Sequence, residues 1–600
     1  MSRAGHEMPF GARVNPDGTV RFQIWAPAAS KVELVVDGDS AALPLNQLAD
    51  GWFAATAQVS PGSRYRFRID GGQQVPDPAS RFQPEGVHGP SEVVDPHAYS
   101  WTNPSWPGRP WHEAVLYELH IGAFTSEGNY AAATEKLTYL RDLGVTAVEL
   151  MPVAQAAGRR TWGYDGVQLF APNRAYGRPE DLKAFVDRAH GLGLMVFLDV
   201  VYNHFGPEGN YLPLYAPQFF TSAHHTPWGE AIAFDGPHAR TVRDFFIHNA
   251  LYWLTEYGID GLRLDAVHAI QDNVRTEFLR ELAGAVHQRF ADTRQVHLVL
   301  ENDANEARLL DAYDAQWNDD LHHALHVTIT GETEGYYQDY AGDPVGALGR
   351  CLVEGFAYQG EHSAFRDRAR GEPSAALPTT AFVGFLQNHD QVGNRPLSER
   401  ITEQAPREAI PAATAIVLLS PQPPLLFMGE EWAARQPFPF FCDFGPDLAD
   451  AVLEGRRQEF AAFPGFEAAA ARSEIPDPNA PETFERAILD WSALEASRHA
   501  EWLAFTRHLL AVRRELLAPR LDRFAGHAGS FRTMGGGLLR VDWDFDEGGR
   551  YTLLANLSAT ATRVEADAAV LPGKVIYAGP DKVHPPFLAP WTVIWSLNVP

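Results

Sequence analysis

The sequence predicts an α/β protein: a (β/α)8 barrel of TIM type flanked by an N-terminal and a C-terminal β-sandwich. Three observations predict it. From Ala114 onward, short and nearly continuous apolar runs alternate with stretches of helical periodicity, as buried parallel strands and their covering helices do. Before that point and after Leu521, apolar residues instead alternate with polar ones between turns rich in Gly, Asp and Pro. And 600 residues is length enough for about three or four domains.

The N-terminal strands are Thr19–Trp25, Lys31–Val36 and Ser63–Ile69, separated by Pro16-Asp17-Gly18, Asp37-Gly38-Asp39 and Asp70-Gly71-Gly72. Each alternates as a half-buried strand does, and each separator carries turn chemistry. Asn103–Pro110, rich in Pro, reads as a linker. The barrel strands are expected at Val115–Ile121, Ala147–Val153, Met195–Val201, Gly261–Val267, His297–Asn302, Ala315–Asn318, Ala381–Gln387 and Pro424–Met428. Helices are expected at Ala131–Leu143, Pro179–Leu192, Ala239–Tyr257, Val274–Phe290, Pro344–Gly355 and Pro406–Leu419, with long inserts at Tyr202–Asp235 and Tyr358–Pro378. A closing helix, Ala496–Leu517, carries Trp502, Phe505, Leu509, Val512 and Leu516 along one stripe. Strands then resume at Leu538–Trp543, Tyr551–Asn556 and Thr592–Trp595. The expected domains are 1–110, 111–520 and 521–600.

Composition narrows the function. With 49 Lys+Arg against 76 Asp+Glu, the formal charge is −27, which disfavours nucleic acid or an anionic membrane as a partner. The most apolar runs, Leu194–Val201 and Ala415–Met428, are too short or too interrupted by Pro to span a bilayer, and the first residues lack the apolar core of a signal peptide. Two cysteines, Cys351 and Cys442, cannot form a disulfide framework or an ordinary zinc site. A cytoplasmic location is expected. Aromatics are 12% of the chain, with 15 Trp; composition alone favours core or interface filler over flat faces for sugar rings.

Reactive groups of such a barrel stand at the carboxyl ends of strands. Strand four reads Gly261-Leu-Arg-Leu-Asp-Ala266, so Arg263 and Asp265 share a face. A guanidinium beside a carboxylate favours the ionised form that a nucleophile needs; the same pair also suits a buried structural ion pair. Strand five ends in Glu301, where a low-dielectric edge raises a carboxyl toward general-acid duty; taken singly, the residue fits a solvated Glu just past the strand better. Strand seven ends in Asn388, His389 and Asp390, and strand three carries Asp199, Asn203 and His204. Carboxylates flanking a scissile bond are the chemistry of glycoside hydrolysis. No GxGxxG, P-loop or GxSxG competes with that reading.

Asp199–His204 (DVVYNH), Gly261–His268 (GLRLDAVH), Leu300–Asp303 (LEND) and Phe385–Asp390 (FLQNHD) resemble, in order and spacing, the four short regions of the α-amylase superfamily of retaining α-glucan enzymes. The resemblance implies Asp265 as nucleophile, Glu301 as acid/base and Asp390 as transition-state stabiliser. It implies substrate contacts by Arg263, His204, His268, Asn388 and His389, with Tyr164 as the platform under the sugar being cleaved. The segments Asp77–Arg81 and Gly86–Ser91 resemble the starch-binding-type module of branching and debranching enzymes. Gln316–His323, Phe427–Trp432 and Phe438–Gly445 resemble the maltooligosyltrehalose trehalohydrolases, as does Val267 where many amylases have Lys. That family cuts the α-1,4 bond next to a terminal trehalose, releasing trehalose and a maltooligosaccharide. Trp317, Asp320 and His323 are then expected at the substrate, and Trp228 and Glu430 are further candidates for the trehalose side, each equally suited to loop packing. The resemblance implies a maltooligosyltrehalose synthase as metabolic partner. No cofactor is expected, and no metal: Asn203 can be a calcium ligand in amylases, but the dedicated acidic loop is not evident. A glycogen branching enzyme, which transfers where this family hydrolyses, and a non-catalytic glucan-binding protein are the alternatives.

Overall fold

The computed structural model describes residues 5–38, 41–226, 229–270, 275–462, 466, 468–545, 548–579 and 586–599. Its centre is a closed barrel of eight parallel strands: Leu116–Leu119, Ala147–Leu150, Met195–Val200, Gly261–Leu264, His297–Leu300, Ala315–Trp317, Phe382–Phe385 and Pro424–Phe427. Each pairs with the next, and the eighth closes on the first. All eight expected strands are present in the expected order. Every one ends one to three residues earlier than its apolar run suggests. The residues left over, among them Asp265, Glu301 and Gln387, stand above the strands at the rim.

Buried Leu116, Ala147, Met195, Phe197, Val299, Ala315, Trp317, Val383, Phe385 and Leu425 pack together as one cluster filling the barrel. Counting on by two, the period of a strand, leads from this apolar floor to charged residues: Leu116 to Glu118, Ala147 to Glu149, Phe197 to Asp199, Val299 to Glu301. The active face is thus the upward continuation of the core.

The helices start and stop for identifiable reasons. Asn129 accepts from the Ala132 amide to open Tyr130–Leu143, and Gly144, at φ +109°, ends it. Pro179 begins Pro179–Gly191. Asn318 caps Asp319–Thr330, a helix absent from the expected set; its His residues and β-branched Val327, Thr328 and Ile329 hide the helical stripe. Pro344–Glu354 is a second helix in that same unit. The helix expected from Pro406 begins at Ile410, and Arg275–Phe290 is the described part of the one expected from Val274, which lies outside the described residues. Ser497–Val512 is α-helical and continues as a π turn over Arg513–Leu517. Buried Arg513 donates to the carbonyls of Leu418, Ser420 and Gln422, satisfying the end of helix Ile410–Leu419 and tying the closing helix to the barrel.

On the N-terminal side two antiparallel sheets face each other. One contains Gly11–Val14, Val20–Trp25 and Trp52–Ala57, the other Val32–Val36 and Arg64–Ile69. The C-terminal sheet has five strands, ordered Gly529–Thr533, Leu538–Phe545, Gly549–Asn556, Thr592–Asn598 and Lys574–Gly579. A separate pair, Thr562–Arg563 with Phe587–Leu588, lies beside it. The two edge strands are absent from the expected set, since neither alternates apolar with polar residues and most of their residues are exposed or half-exposed. Cys351 and Cys442 are both buried and free. Among the described residues no helix is long and apolar enough to cross a membrane.

Candidate active site

Arg263 organises the rim. It is fully buried, and its guanidinium carbon lies 4.2 Å from the centroid of the Trp317 ring beneath it. One nitrogen, Nη1, donates to Asp199 Oδ2 at 2.8 Å and to Asp265 Oδ1 at 2.7 Å. The other, Nη2, is 3.7 Å from Glu301 Oε2. Three carboxyl groups from strands three, four and five therefore converge on one cation.

Asp265 receives a second donor on its other oxygen, Asn203 Nδ2 at 2.9 Å; the same amide also reaches the Asp265 carbonyl at 3.0 Å. Both carboxylate oxygens are thus held, which fixes the direction in which a lone pair is presented. Asn203 Oδ1 in turn accepts from His204 Nδ1, while His204 Nε2 meets the Tyr164 carbonyl at 2.9 Å. Burial lowers the His204 pKa, with Asp265 pulling the other way.

Ala266, directly after Asp265, adopts left-handed backbone at φ +39°, ψ 50°. That turn points its N–H at Glu301 Oε2, 2.6 Å away. Strain at a non-glycine residue in this position buys a direct link between the two principal carboxyl groups. Burial raises Glu301 above the ordinary range; His268 and Arg263 oppose this, while Asp265 and Asp390 add to it. His268 Nδ1 lies 4.0 Å from Glu301 Oε1 and accepts from the Asp303 amide at 3.2 Å.

On strand seven, Asn388 accepts from the amides of Asp390 and Gln391 and so caps the short helix His389–Gly393. Asp390 is held by Asn394 Nδ2 at 3.0 Å and stands 3.5 Å from His389 Nε2. His389 is gripped from below: Glu118 accepts from its Nδ1 at 2.5 Å and from its backbone N–H at 3.0 Å. Burial disfavours the charged ring, but Glu118 and then Asp390 outweigh it and raise His389 to about 9. Its Nε2 meets Tyr164 Oη at 2.9 Å, and that hydroxyl donates to Asp199 at 2.6 Å. Burial, against the pull of Arg263, brings Asp199 to about 7. The loop carrying Tyr164 turns at Gly163, φ +103°, where a Cβ would sit 2.1 Å from the Pro152 carbonyl oxygen.

Asp265, Glu301, Asp390, Tyr164, His204, Arg263, His268, Asn388 and His389 are therefore gathered on one rim. Trp317 supports it from within the barrel, 1% exposed, under Arg263. Asp320 and His323 lie elsewhere. Asp320 is fully buried and accepts from Asn305 Nδ2, Tyr340 Oη, Arg370 Nη1 and the amides of Ala357 and Tyr358. His323 is packed against Tyr336, 4.6 Å between ring centroids, and burial holds it well below its ordinary pKa. Glu430 is buried beside Phe427, whose amide it accepts at 3.3 Å. Trp228 lies outside the described residues.

Sequence reasoning missed Glu118, Glu149 and Asp319. The first two sit inside apolar strand runs, where only the count by two from the floor marks them as inward. Burial, and then Glu118 and Asp199 nearby, raise Glu149 well above the carboxylate range. Among the described residues, no cluster of three or more His, Cys, Asp or Glu side chains is arranged to hold a metal ion.

Comparison with known proteins agrees with this fold. The α-amylase catalytic-domain model matches residues 94–229, carbohydrate-binding module 48 (isoamylase N-terminal domain) matches 9–98, and a domain of unknown function matches 526–595. A malto-oligosyltrehalose trehalohydrolase of Deinococcus radiodurans is 44% identical over 84% of this chain and 83% of its own length. One from Arthrobacter ramosus is also 44% identical, over 87% of this chain and 92% of its own. A crystal structure from Salmonella typhimurium, ascribed to an alpha amylase, superposes with a TM-score of 0.92 at 46% identity, covering 98% of this chain and 99% of that one. With relatives of this identity along most of its length and the barrel described above, the chain belongs to the malto-oligosyltrehalose trehalohydrolases of the α-amylase family.

Proposed function

We infer that the protein is a retaining glycoside hydrolase that cleaves the α-1,4-glucosidic bond next to the terminal trehalose of maltooligosyltrehalose, releasing trehalose and a maltooligosaccharide. The observation that carries the chemistry is the pair Asp265 and Glu301, both within reach of the Arg263 guanidinium and linked through the Ala266 amide. Two carboxyl groups held this close suit a double displacement, in which one attacks carbon and the other handles the proton.

In that reading Asp265, with both oxygens positioned by Arg263 and Asn203, attacks the anomeric carbon and forms a glycosyl ester. Glu301, whose pKa burial raises in the direction an acid needs, gives its proton to the departing trehalose oxygen, then takes one from the water that opens the ester. Asp390 faces the positive charge that grows on the sugar ring, and His389 beside it, charged at neutral pH, holds the Tyr164 hydroxyl through Nε2. Tyr164, locked between Asp199 and His389, offers its ring as the floor under that sugar. The substrate is made by an enzyme that rearranges the reducing end of a maltooligosaccharide into trehalose, the role of a maltooligosyltrehalose synthase.

Incubation with maltooligosyltrehalose, followed by chromatography for free trehalose, tests the reading. Release of trehalose is the expected result. New α-1,6 branches in amylose without trehalose release would instead establish a transferase.

A further inference from the structure

The helix after strand six opens on two adjacent aspartates that the fold treats differently. Asp320 points into the protein, and five donors use up its oxygens. Asp319, the first helical residue, forms no hydrogen bond or ion pair with any described residue, although it is only partly exposed. A half-buried carboxyl without a protein partner is costly unless something else completes it.

Topology says where Asp319 stands. Strand six lies between strands five and seven, so its end occupies the rim between Glu301 and Asp390. Trp317 points inward under Arg263, and Asp319 follows two residues later, just past the capping Asn318, as the first residue of the helix that leaves this rim. The charged groups that act on its carboxyl most strongly are Glu301, Asp303, Arg370 and Asp390. Glu301 hands its proton to the oxygen that leaves with trehalose, and Asp303 follows it along the same strand end. A group set against these two faces the leaving sugar.

We propose that Asp319 is a specificity-determining residue that hydrogen-bonds hydroxyl groups of the trehalose unit on the leaving side of the scissile bond. The proposal rests on the trehalohydrolase reading above. Burial, and then Glu301 and Asp303, hold the Asp319 carboxyl well above the ordinary range. A shift in this direction favours the neutral acid, which can both donate and accept, as adjacent sugar hydroxyls require. A site built this way rejects leaving groups that cannot complete it, because its polar group is then left unpaired.

Two substrates separate leaving-side binding from every other effect. Maltotriosyltrehalose fills both sides of the cleft; α-maltotriosyl fluoride carries the donor sugars with fluoride in place of trehalose. Asp319→Ala is expected to lose at least tenfold more kcat/KM on the first than on the second, and to raise the inhibition constant of free trehalose at least fivefold. Asp319→Asn, which keeps a donor and an acceptor, is expected to hold that constant within fivefold of the wild type. Equal losses of Asp319→Ala on the two substrates, or a trehalose constant changed less than fivefold, would overturn the proposal. So would a shift in the alkaline limb of kcat/KM with trehalose inhibition intact, which would make Asp319 a positioning residue acting through Glu301. Asp319→Ser carries the same test if the alanine variant does not fold. A wild-type enzyme that hydrolyses the fluoride but frees no trehalose from maltotriosyltrehalose would refute the reading of function rather than the placement of Asp319.

Discussion

Replacing Glu118 by Gln isolates one electrostatic link in the site. The Glu118 carboxylate meets His389 at Nδ1 and at the backbone N–H, and both side chains are 1% exposed. Burial alone would drive His389 toward the neutral form; Glu118, helped by Asp390, raises it to about 9. A histidine raised in the folded state stabilises the fold in full below its unfolded value of about 6.5, and loses that contribution as pH climbs through the folded value. The rise from 6.5 to about 9 is worth about 3 kcal/mol, at about 1.4 kcal/mol for each tenfold in proton affinity. Gln keeps the shape of Glu118 and removes its charge, so His389 falls back and this dependence disappears.

The assay is denaturant unfolding of wild type and Glu118→Gln at several values between pH 6 and 9.5. The variant is less stable near pH 6, and the gap between the two is expected to shrink by about 3 kcal/mol toward pH 9.5, as the wild type loses its imidazolium. Activity follows the same logic: at pH 7 the variant has a neutral His389 beside Asp390 and Tyr164, and its kcat/KM is expected to fall by at least tenfold. A stability gap that stays constant with pH, whatever its size, would refute the claim that Glu118 holds a charged His389.

Three further outcomes follow from the geometry. Asp265→Asn keeps the size of the side chain between Arg263 and Asn203 but removes the nucleophile, so kcat should drop by roughly 10^4-fold or more while the barrel stays folded; near-normal turnover would remove Asp265 from its role. Asp320→Ala strips the partner from buried Arg370 and frees the amides of Ala357 and Tyr358, and urea unfolding should show a loss of about 3–5 kcal/mol. Burial raises Glu430 to about 8, so above its unfolded value near 4.5 the folded state resists an ionisation that the unfolded chain undergoes; Glu430→Gln should therefore gain up to about 3 kcal/mol of stability at pH 7 relative to the wild type, and none of it at pH 4.

How much of this was legible in the sequence depends on whether a signal is carried by a run or by a single turn of backbone. A buried parallel strand must be apolar on both faces, so eight such runs stand out, and a carboxylate that ends one, as Glu301 does, stands out with it. Glu118 and Glu149 are hidden for the same reason, since a lone charge inside LYEL or AVEL looks like an interruption of the strand rather than the top of its inward face. The C-terminal edge strands are hidden for a different reason: their apolar residues, Phe531 in one and Val575, Ile576 and Tyr577 in the other, do not alternate with polar ones.

The pair Asp319 and Asp320 shows the finer limit. Successive helical residues point about 100° apart, so which of two neighbouring aspartates meets the cleft is settled by where the helix begins. That start is set by Asn318, whose side chain takes the Leu321 amide, and by the donors waiting for Asp320 on the loops at Asn305, Tyr340, Ala357 and Arg370. Those loops are up to fifty residues away in the chain, and no local pattern around Trp317 encodes them. The same long-range contacts that bury one aspartate leave its neighbour unpartnered at the rim. Structural satisfaction of Asp320 and availability of Asp319 are thus two results of a single helix start, and a shift of that start by one residue would exchange a fold anchor for a binding group.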